Sequence, residues 1–552
     1  MERTTSFFEF FNDGGRTDVQ HACGIANAAA IQGHIDNLLL HLRGLSRVAI
    51  LQEKRPPASQ ATLPASVPLL AFSGHAVAHN IWPVAVGTMQ HLRNHGILIQ
   101  SWSLSYSNRG YQINRSETPS GIVPTWCGGS RQGISQTQEE EGLMKFIVAT
   151  YGTEGDARPC AALCRGLMDA GHEARLLADA ATLGSAQALG VPTTALAGDI
   201  RGTLSRDHAI AGVVAKGGGF NETARALAKI ANENAESWLR TIIEAGKGCD
   251  AILAAGLAGF AGFSAAEYLG AKGIGAGMIP ITPTAAFPSP FLPPKWVPRL
   301  LNRASHGFVN AMLWKAFRGK TNAARAIFKL PPRKTVWTEP PMVYGVSPNL
   351  LPTPADWPAN VHLCGQWLAP SPAWMPPPAL ANFLAAEGAP IYIGFGSMTG
   401  FDNARLLDAL IEAMTGRRAL FHPGWSGIDP KALPDNFLAI SDTPHDWLFP
   451  RTAAVIHHGG SGTSHSAARA GVPSIVTPFA GDQFFWAERL RLAGVAPAAV
   501  DGRRPTAEAF TSALDFAAAA RVRNRTRALG EKMRAENGVV DVVATLERIV
   551  AS

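Results

Sequence analysis

From Met144 onward, short apolar runs alternate with amphipathic stretches, a rhythm that predicts strands and helices in turn. Lys145-Phe146-Ile147-Val148-Ala149-Thr150 is an apolar run of β-forming residues, as for a strand buried on both faces. A Gly-containing turn follows, then a helical pattern through Leu163, Leu167 and Met168 that stops at Gly171. Glu173 to Ala178 reads as the next strand, completing a βαβ unit. Ala251 to Leu257 is another strand-like run, followed by a Gly-rich turn and a helix through Glu267. Prolines crowd the stretch from Leu350 to Pro378, with Val361 to Gly365 as a last short strand inside it. The alternation then resumes with a strand at Pro390 to Ile393, a helix from Leu406 to Met414 and a strand from Arg418 to His422, and it repeats to Val500. This pattern predicts an α/β chain with two parallel sheets.

Residues 1–143 follow no such rhythm and carry no motif that connects to chemistry. The expected division is a poorly ordered N-terminal extension of uncertain structure at 1–143, a first α/β domain at 144–350 and a Pro-rich linker at 351–379. A second α/β domain at 380–525 and a C-terminal helix at 526–552 complete it. Glu139-Glu140-Glu141-Gly142 implies purine-rich codons of the kind a bacterial ribosome-binding site has. Met144 is therefore one expected start of translation; a genuine extension with a targeting or lipid-contact role is the other.

Composition narrows the class. The chain has 552 residues, of which 46% are hydrophobic and 16% charged, which suits a globular protein of about three units. The formal charge is +7, yet no Lys/Arg block with interleaved aromatics reads as a nucleic-acid module. Six cysteines without a CxxC argue against a disulfide scaffold or a zinc site and fit a cytoplasmic location. The longest apolar stretch, Ala251 to Phe263, falls short of the ~20 residues of a spanning helix. Lys295 to Lys334 contains ten basic residues, no Asp or Glu, and interleaved Trp296, Leu300, Leu301, Phe308, Met312 and Trp314. Such a stretch is either an ordinary helix with solvated charges or a peripheral contact with an anionic membrane surface.

Three constellations carry candidate chemistry. The first is Tyr151-Gly152-Thr153-Glu154-Gly155-Asp156, between strand and helix, where backbone N–H groups face a ligand. Asp156 fits an N-cap, with Pro159 in the first helical turn, and it also fits a general base at the mouth of a cleft. The second is Val455-Ile456-His457-His458-Gly459-Gly460-Ser461-Gly462-Thr463, a strand running into a Gly-rich turn and a helix. Glycines admit a diphosphate close to the backbone, where N–H groups, hydroxyls and the helix N-terminus hold its charge. The absence of Gly-Lys-Ser/Thr excludes a P-loop. The third is Asp482-Gln483, one βα unit later, an acceptor and donor pair suited to vicinal sugar hydroxyls.

At Tyr151–Asp156, His445–Pro450, His457–Thr463 and Pro478–Trp486 the sequence resembles the family 1 UDP-glycosyltransferases of GT-B fold, and most of all their sterol glucosyltransferase and antibiotic-aglycone branch. The resemblance covers about residues 144 to 545. It implies two Rossmann-like domains facing across a cleft, the donor on the second and the acceptor on the first. It implies that Ser397, His458, Gly460, Ser461, Gly462 and Thr463 hold the diphosphate, that the backbone near His445 reads uracil, and that Asp482 and Gln483 bind the sugar. Thr153, Gly155 and Phe287 fall on the acceptor side. Many relatives place a His after the first-strand glycine as the base; here Asp156 stands, as in the sterol and antibiotic-aglycone branch, and is the implied base. The implied reaction is an inverting transfer of a hexose, commonly glucose, from a UDP-sugar to a hydroxyl of a sterol, lipid or polyketide-like aglycone. The UDP-sugar is a co-substrate, and neither a cofactor nor a metal is expected. The rival readings are a nucleotide-sugar epimerase and a non-catalytic nucleotide- or lipid-binding protein of the same fold.

Overall fold

The computed structural model describes residues 102–107, 110–115 and 142–552, apart from 201–219, 370–373, 397–402, 425–428 and 430–432. The chain divides into two compact units, Met1–Ser135 and Gln136–Ser552. In the first, strands β1 (Trp102–Ser107) and β2 (Gly110–Arg115) form an antiparallel hairpin, Trp102 opposite Arg115. No element was expected there; apart from Gly142 and Leu143, the rest of the expected extension lies outside the described residues.

The second unit holds two parallel sheets. The first sheet takes β3 (Lys145–Ala149), β4 (Glu173–Asp179), β5 (Thr193–Leu196), β6 (Ala251–Ala254), β7 (Lys272–Gly277), β8 (Met342–Tyr344) and β9 (Val361–Leu363), in the order β5-β4-β3-β6-β7-β8-β9. Its described helices are α1 (Glu154–Asp169), α2 (Gly184–Ala188), α3 (Phe220–Ala245), α4 (Gly259–Leu269) and α5 (Asn302–Ile327). Helix α6 (Pro378–Ala385) leads to the second sheet, which takes β10 (Ile391–Gly394), β11 (Ala419–His422), β12 (Phe437–Ala439), β13 (Ala454–His457) and β14 (Ser474–Val476), in the order β12-β11-β10-β13-β14. Around it lie α7 (Asn403–Ala413), α8 (His445–Leu448), α9 (Ser461–Ala470), α10 (Gln483–Leu492) and α11 (Ala507–Ala518). The chain ends in α12 (Ala520–Arg534) and α13 (Gly538–Ala551).

Parallel strands need crossovers, and the central ones are covered on both faces, which is why Phe146, Ile147, Val148 and Ala149 are all fully buried. In the first sheet the chain winds outward from β3 through β4 to β5 and then restarts at β6 on the other side. The second sheet reverses likewise between β10 and β13. Such reversal points leave crevices at the carboxyl ends of the strands, and ligands bind there.

The first sheet reaches Leu363, so the stretch expected to be linker from 351 on contributes a paired strand to it. The region expected to be one C-terminal helix is two. Helix α13 returns to the first sheet's side, where Val542, Val543 and Leu546 join Leu163 and Leu167 in one core, and Glu547 meets His172 at 3.0 Å. A further core joins the two halves: Phe287, Tyr344, Val346 and Leu350 pack with Val476, Phe485, Trp486 and Met533. Cys160 and Cys164 are buried within α1, as core packing requires.

Candidate active site

Both sequence turns lie at the reversal crevices. In the first, Thr153 caps α1. Its hydroxyl accepts from the Gly155 N–H at 3.4 Å, and the Asp156 carboxylate reaches back to accept from the Thr153 N–H at 3.0 Å. Asp156 is therefore not the N-cap expected of it but the third helical residue of a capping box, because Thr153 already supplies the first acceptor. Pro159, expected in the first turn, lies inside the helix. The capping bond fixes the carboxylate's direction, and Gly152 makes room for it: a Cβ there would overlap the carboxylate oxygen. Burial pushes the Asp156 carboxyl up to about 6, against the opposing pull of the Thr153 N–H.

Tyr151 is not a cleft residue. It is buried, stacks on Trp238 with ring centroids 4.4 Å apart, and donates its hydroxyl to Asp179 at 2.7 Å. Glu154 pairs with Arg158 at 2.9 Å, and the Arg158 guanidinium also lies 3.6 Å from Asp442, which is itself 3.1 Å from His422. A charged contact thus spans the two sheets' sides near the N-terminal end of α1.

The second crevice holds the Gly-rich turn. Helix α9 begins after Gly460 with no side-chain cap, so its first N–H groups keep their charge for a ligand. The buried Nδ1 of His458 has no hydrogen-bond partner among the described residues. Burial holds His458 down to about 4, so the ring is neutral near pH 7 and offers one donor, not a cation. A Cβ at Gly460 would come within 2.5 Å of His458 Nε2, so this glycine is needed for close approach. Gly462 and Thr463 lie in the first turn of α9. The Ser461 hydroxyl, expected at the diphosphate, instead donates to the Met278 carbonyl at 2.9 Å, tying the turn to the first sheet's side. Ser397 lies outside the described residues.

His445 opens α8 and stacks on Phe449, with ring centroids 4.2 Å apart and planes 18° from parallel. Burial lowers its pKa to about 4. Asp482 precedes α10, and its Oδ2 accepts from Trp486 Nε1 at 2.9 Å. Burial raises the Asp482 carboxyl to about 6, against the opposing pull of the Trp486 N–H, and the charge of Asp156 adds a smaller push upward. Gln483 is buried, and its side-chain oxygen accepts from the Phe479 N–H at 2.7 Å and the Ala480 N–H at 3.1 Å. That oxygen thus shapes the loop that presents Asp482.

Phe287 does not line the acceptor side. It is 1% exposed and packs against Phe485 at 5.2 Å in the core between the halves, because the proline-rich loop folds inward under α5. Thr153 and Gly155 remain at the mouth of the first crevice. Sequence reasoning passed over Trp486 and His465. Trp486 sits four residues after Asp482, one helical turn, and that spacing was the available signal. His465 accepts from the Ser347 N–H through Nε2 at 3.2 Å, so its Nδ1 carries the proton and donates to the Ser461 carbonyl at 2.8 Å. It clasps the glycine turn to the first half; nothing in the local pattern marks it.

Two parallel-sheet domains, an uncapped helix N-terminus on one and a carboxylate fixed at the first turn of the other, are the architecture of the GT-B fold. Residues 420–549 match the C-terminal domain of the erythromycin biosynthesis protein CIII-like family. The chain is 31% identical over 426 residues to O-mycaminosyltylonolide 6-deoxyallosyltransferase of Streptomyces fradiae, covering 73% of this chain and 97% of that protein. It is 29% identical over 460 residues to the sterol 3-beta-glucosyltransferase UGT80A2 of Arabidopsis thaliana, covering 77% and 70%. It spans only 27% of the sterol 3-beta-glucosyltransferase of Neurospora crassa, to which it is 30% identical. In fold it is similar to the glycosyltransferase VinC in complex with dTDP, with a TM-score of 0.52 at 17% identity over 74% of this chain and 100% of that one. The chain belongs to the family 1 glycosyltransferases of GT-B fold, in the branch of the sterol and antibiotic-aglycone enzymes. Its relatives are transferases, which disfavours the epimerase and the non-catalytic reading. Among the described residues no helix is long and apolar enough to cross a membrane.

Proposed function

We propose that this glycosyltransferase moves a hexose, glucose first among them, from a UDP-sugar to a hydroxyl of a sterol, lipid or polyketide-like aglycone, with inversion. Asp156 takes the proton of the acceptor hydroxyl. The acceptor oxygen then forms its bond to the anomeric carbon as the bond to the diphosphate breaks, and UDP leaves with the electron pair. The N–H groups opening α9, with the donor of the neutral His458 ring, receive the developing charge. The backbone near His445 reads the base, Asp482 orients the sugar, and the Gln483 amide assists while its oxygen holds the loop.

What supports this reading most is the uncapped N-terminus of α9 beside a buried His458 Nδ1 without a partner among the described residues, together with a carboxylate on the acceptor-side turn whose direction the Thr153 N–H fixes. The surface contact expected of residues 295–334 belongs to the same reading, since an apolar acceptor dissolved in a bilayer is met at its surface, and a peripheral cytoplasmic location follows. The test is UDP release from UDP-glucose and dTDP-glucose, with a panel of sterols and macrolide aglycones, by the full chain and by Asp156→Asn. Release that requires both an acceptor and Asp156 supports the proposal. Release by water alone, or equal release by the variant, overturns it.

A further inference from the structure

Where the acid-free segment meets solvent, it exposes large apolar side chains that a globular surface does not need. Trp296 is 67% exposed, Leu300 86%, Leu301 45% and Phe308 55%. The segment is two short 3-10 turns, Pro294–Trp296 and Arg299–Leu301, running into α5, rather than one continuous helix. Within α5, Ala304 and Phe308 lie four apart on one face, and Leu300 and Leu301 precede them in the turn. The opposite face is anchored. Asn302 donates to the Ala285 carbonyl at 2.9 Å, Ser305 accepts from the Ser289 N–H at 2.8 Å, and His306 lies against the Phe287 carbonyl at 3.1 Å. The apolar residues are therefore held outward by a fixed scaffold.

Cations surround them. Arg303 lies 3.8 Å from Asp356. Lys295, Arg299 and Lys315 are exposed and have no acidic partner among the described residues. The turn at Pro294–Trp296 also packs against α10, the helix that starts beside Asp482.

We infer that this face, Lys295 to Lys315, docks on an anionic lipid bilayer. The aromatic and leucine side chains enter the headgroup–acyl boundary, and the ring of cations meets lipid phosphates. Charge complementarity favours an anionic layer, since residues 295–315 carry four Lys and Arg and no Asp or Glu. The docked face adjoins α10, the helix that follows Asp482, so an acceptor leaving the bilayer starts next to a helix of the donor side. That purpose rests on the function proposed above; the surface does not.

The test is sedimentation of the full chain with vesicles of phosphatidylcholine alone and of phosphatidylcholine with phosphatidylglycerol, read without turnover. The wild type is expected to favour the anionic vesicles by about tenfold or more, and less so at high salt. A W296A/L300S/F308S variant and a K295E/R299E variant are each expected to bind about tenfold more weakly, with UDP affinity and thermal unfolding unchanged. Wild-type binding to neither vesicle overturns the inference, as does equal binding by the variants. Concentration-dependent self-association that the same substitutions abolish, without vesicle binding, overturns it in favour of a second copy of this chain. Vesicle binding without sugar transfer to any acceptor would sink the proposed reaction and leave the surface standing.

Discussion

Replacing Asp156 by Asn separates two roles that one carboxylate performs. The amide oxygen of Asn keeps the acceptor for the Thr153 N–H, 3.0 Å away in the wild type, so the capping box survives. Ala removes it, at a cost of about 1 kcal/mol of stability. Neither variant accepts a proton at neutral pH, and loss of a positioned base lowers kcat by about 10²–10⁴-fold. Asp156→Asn is thus expected to melt no lower than the wild type at neutral pH, where the raised carboxyl costs stability once ionised, and to lose turnover, whereas Asp156→Ala gives up the capping bond as well. The pH profile adds a second readout. With the Asp156 carboxyl at about 6, kcat/KM rises as pH increases through that value and levels above it. The assay is UDP release at saturating donor, beside a thermal melt of each variant. An Asn variant that keeps turnover within about threefold of wild type, short of the smallest loss expected of a missing base, refutes the assignment of the base.

Other outcomes follow from the same geometry. Gly152→Ala places a Cβ on the Asp156 carboxylate, so it loses turnover together with about 1 kcal/mol of stability; a fully active Ala variant in the same assay would show that the carboxylate works from another position. His458→Ala removes a donor whose Nδ1 has no partner among the described residues, and a bond to a charged group is worth about 1.5–3 kcal/mol, so calorimetry should find UDP binding weakened by about tenfold or more. Ser461→Ala costs about 1 kcal/mol of stability through the lost bond to Met278 and leaves UDP affinity unchanged; weaker UDP binding would mean the hydroxyl turns to the phosphate. The Asp482 carboxyl is raised from 3.8 to about 6 on folding, so the unfolded chain releases this proton first and the stability attached to it falls as pH rises through that window. Urea midpoints should accordingly show Asp482→Asn gaining on the wild type between those two pH values and holding a constant lead above them.

The legible parts of this chain were those in which local sequence and local structure obey one rule. Val455 to Thr463 reads as strand, glycine turn and helix because each step is dictated within a few residues, and the structure has β13, the turn and α9 there. The same holds for β3 and the turn before α1. Asp156 was misplaced by three positions because Thr and Asp are both good caps, and only the bond from the Thr153 N–H to the carboxylate decides between them. Phe287 misled for a different reason. A phenylalanine among prolines looks the same whether its loop faces a cleft or folds inward, and the partner that decides, Phe485, lies in the other half of the molecule. Helix α13 is the extreme case. Its apolar positions announce a buried face but not which one, and Gly538, where a Cβ would come within 2.4 Å of the Gln366 carbonyl, is the point at which the returning chain is allowed close enough to reach the first core. Since α13 shares a core with α1, whose first turn carries Asp156, and α12 packs on α9, which opens the diphosphate turn, the chain's last two helices join the acceptor side to the donor side.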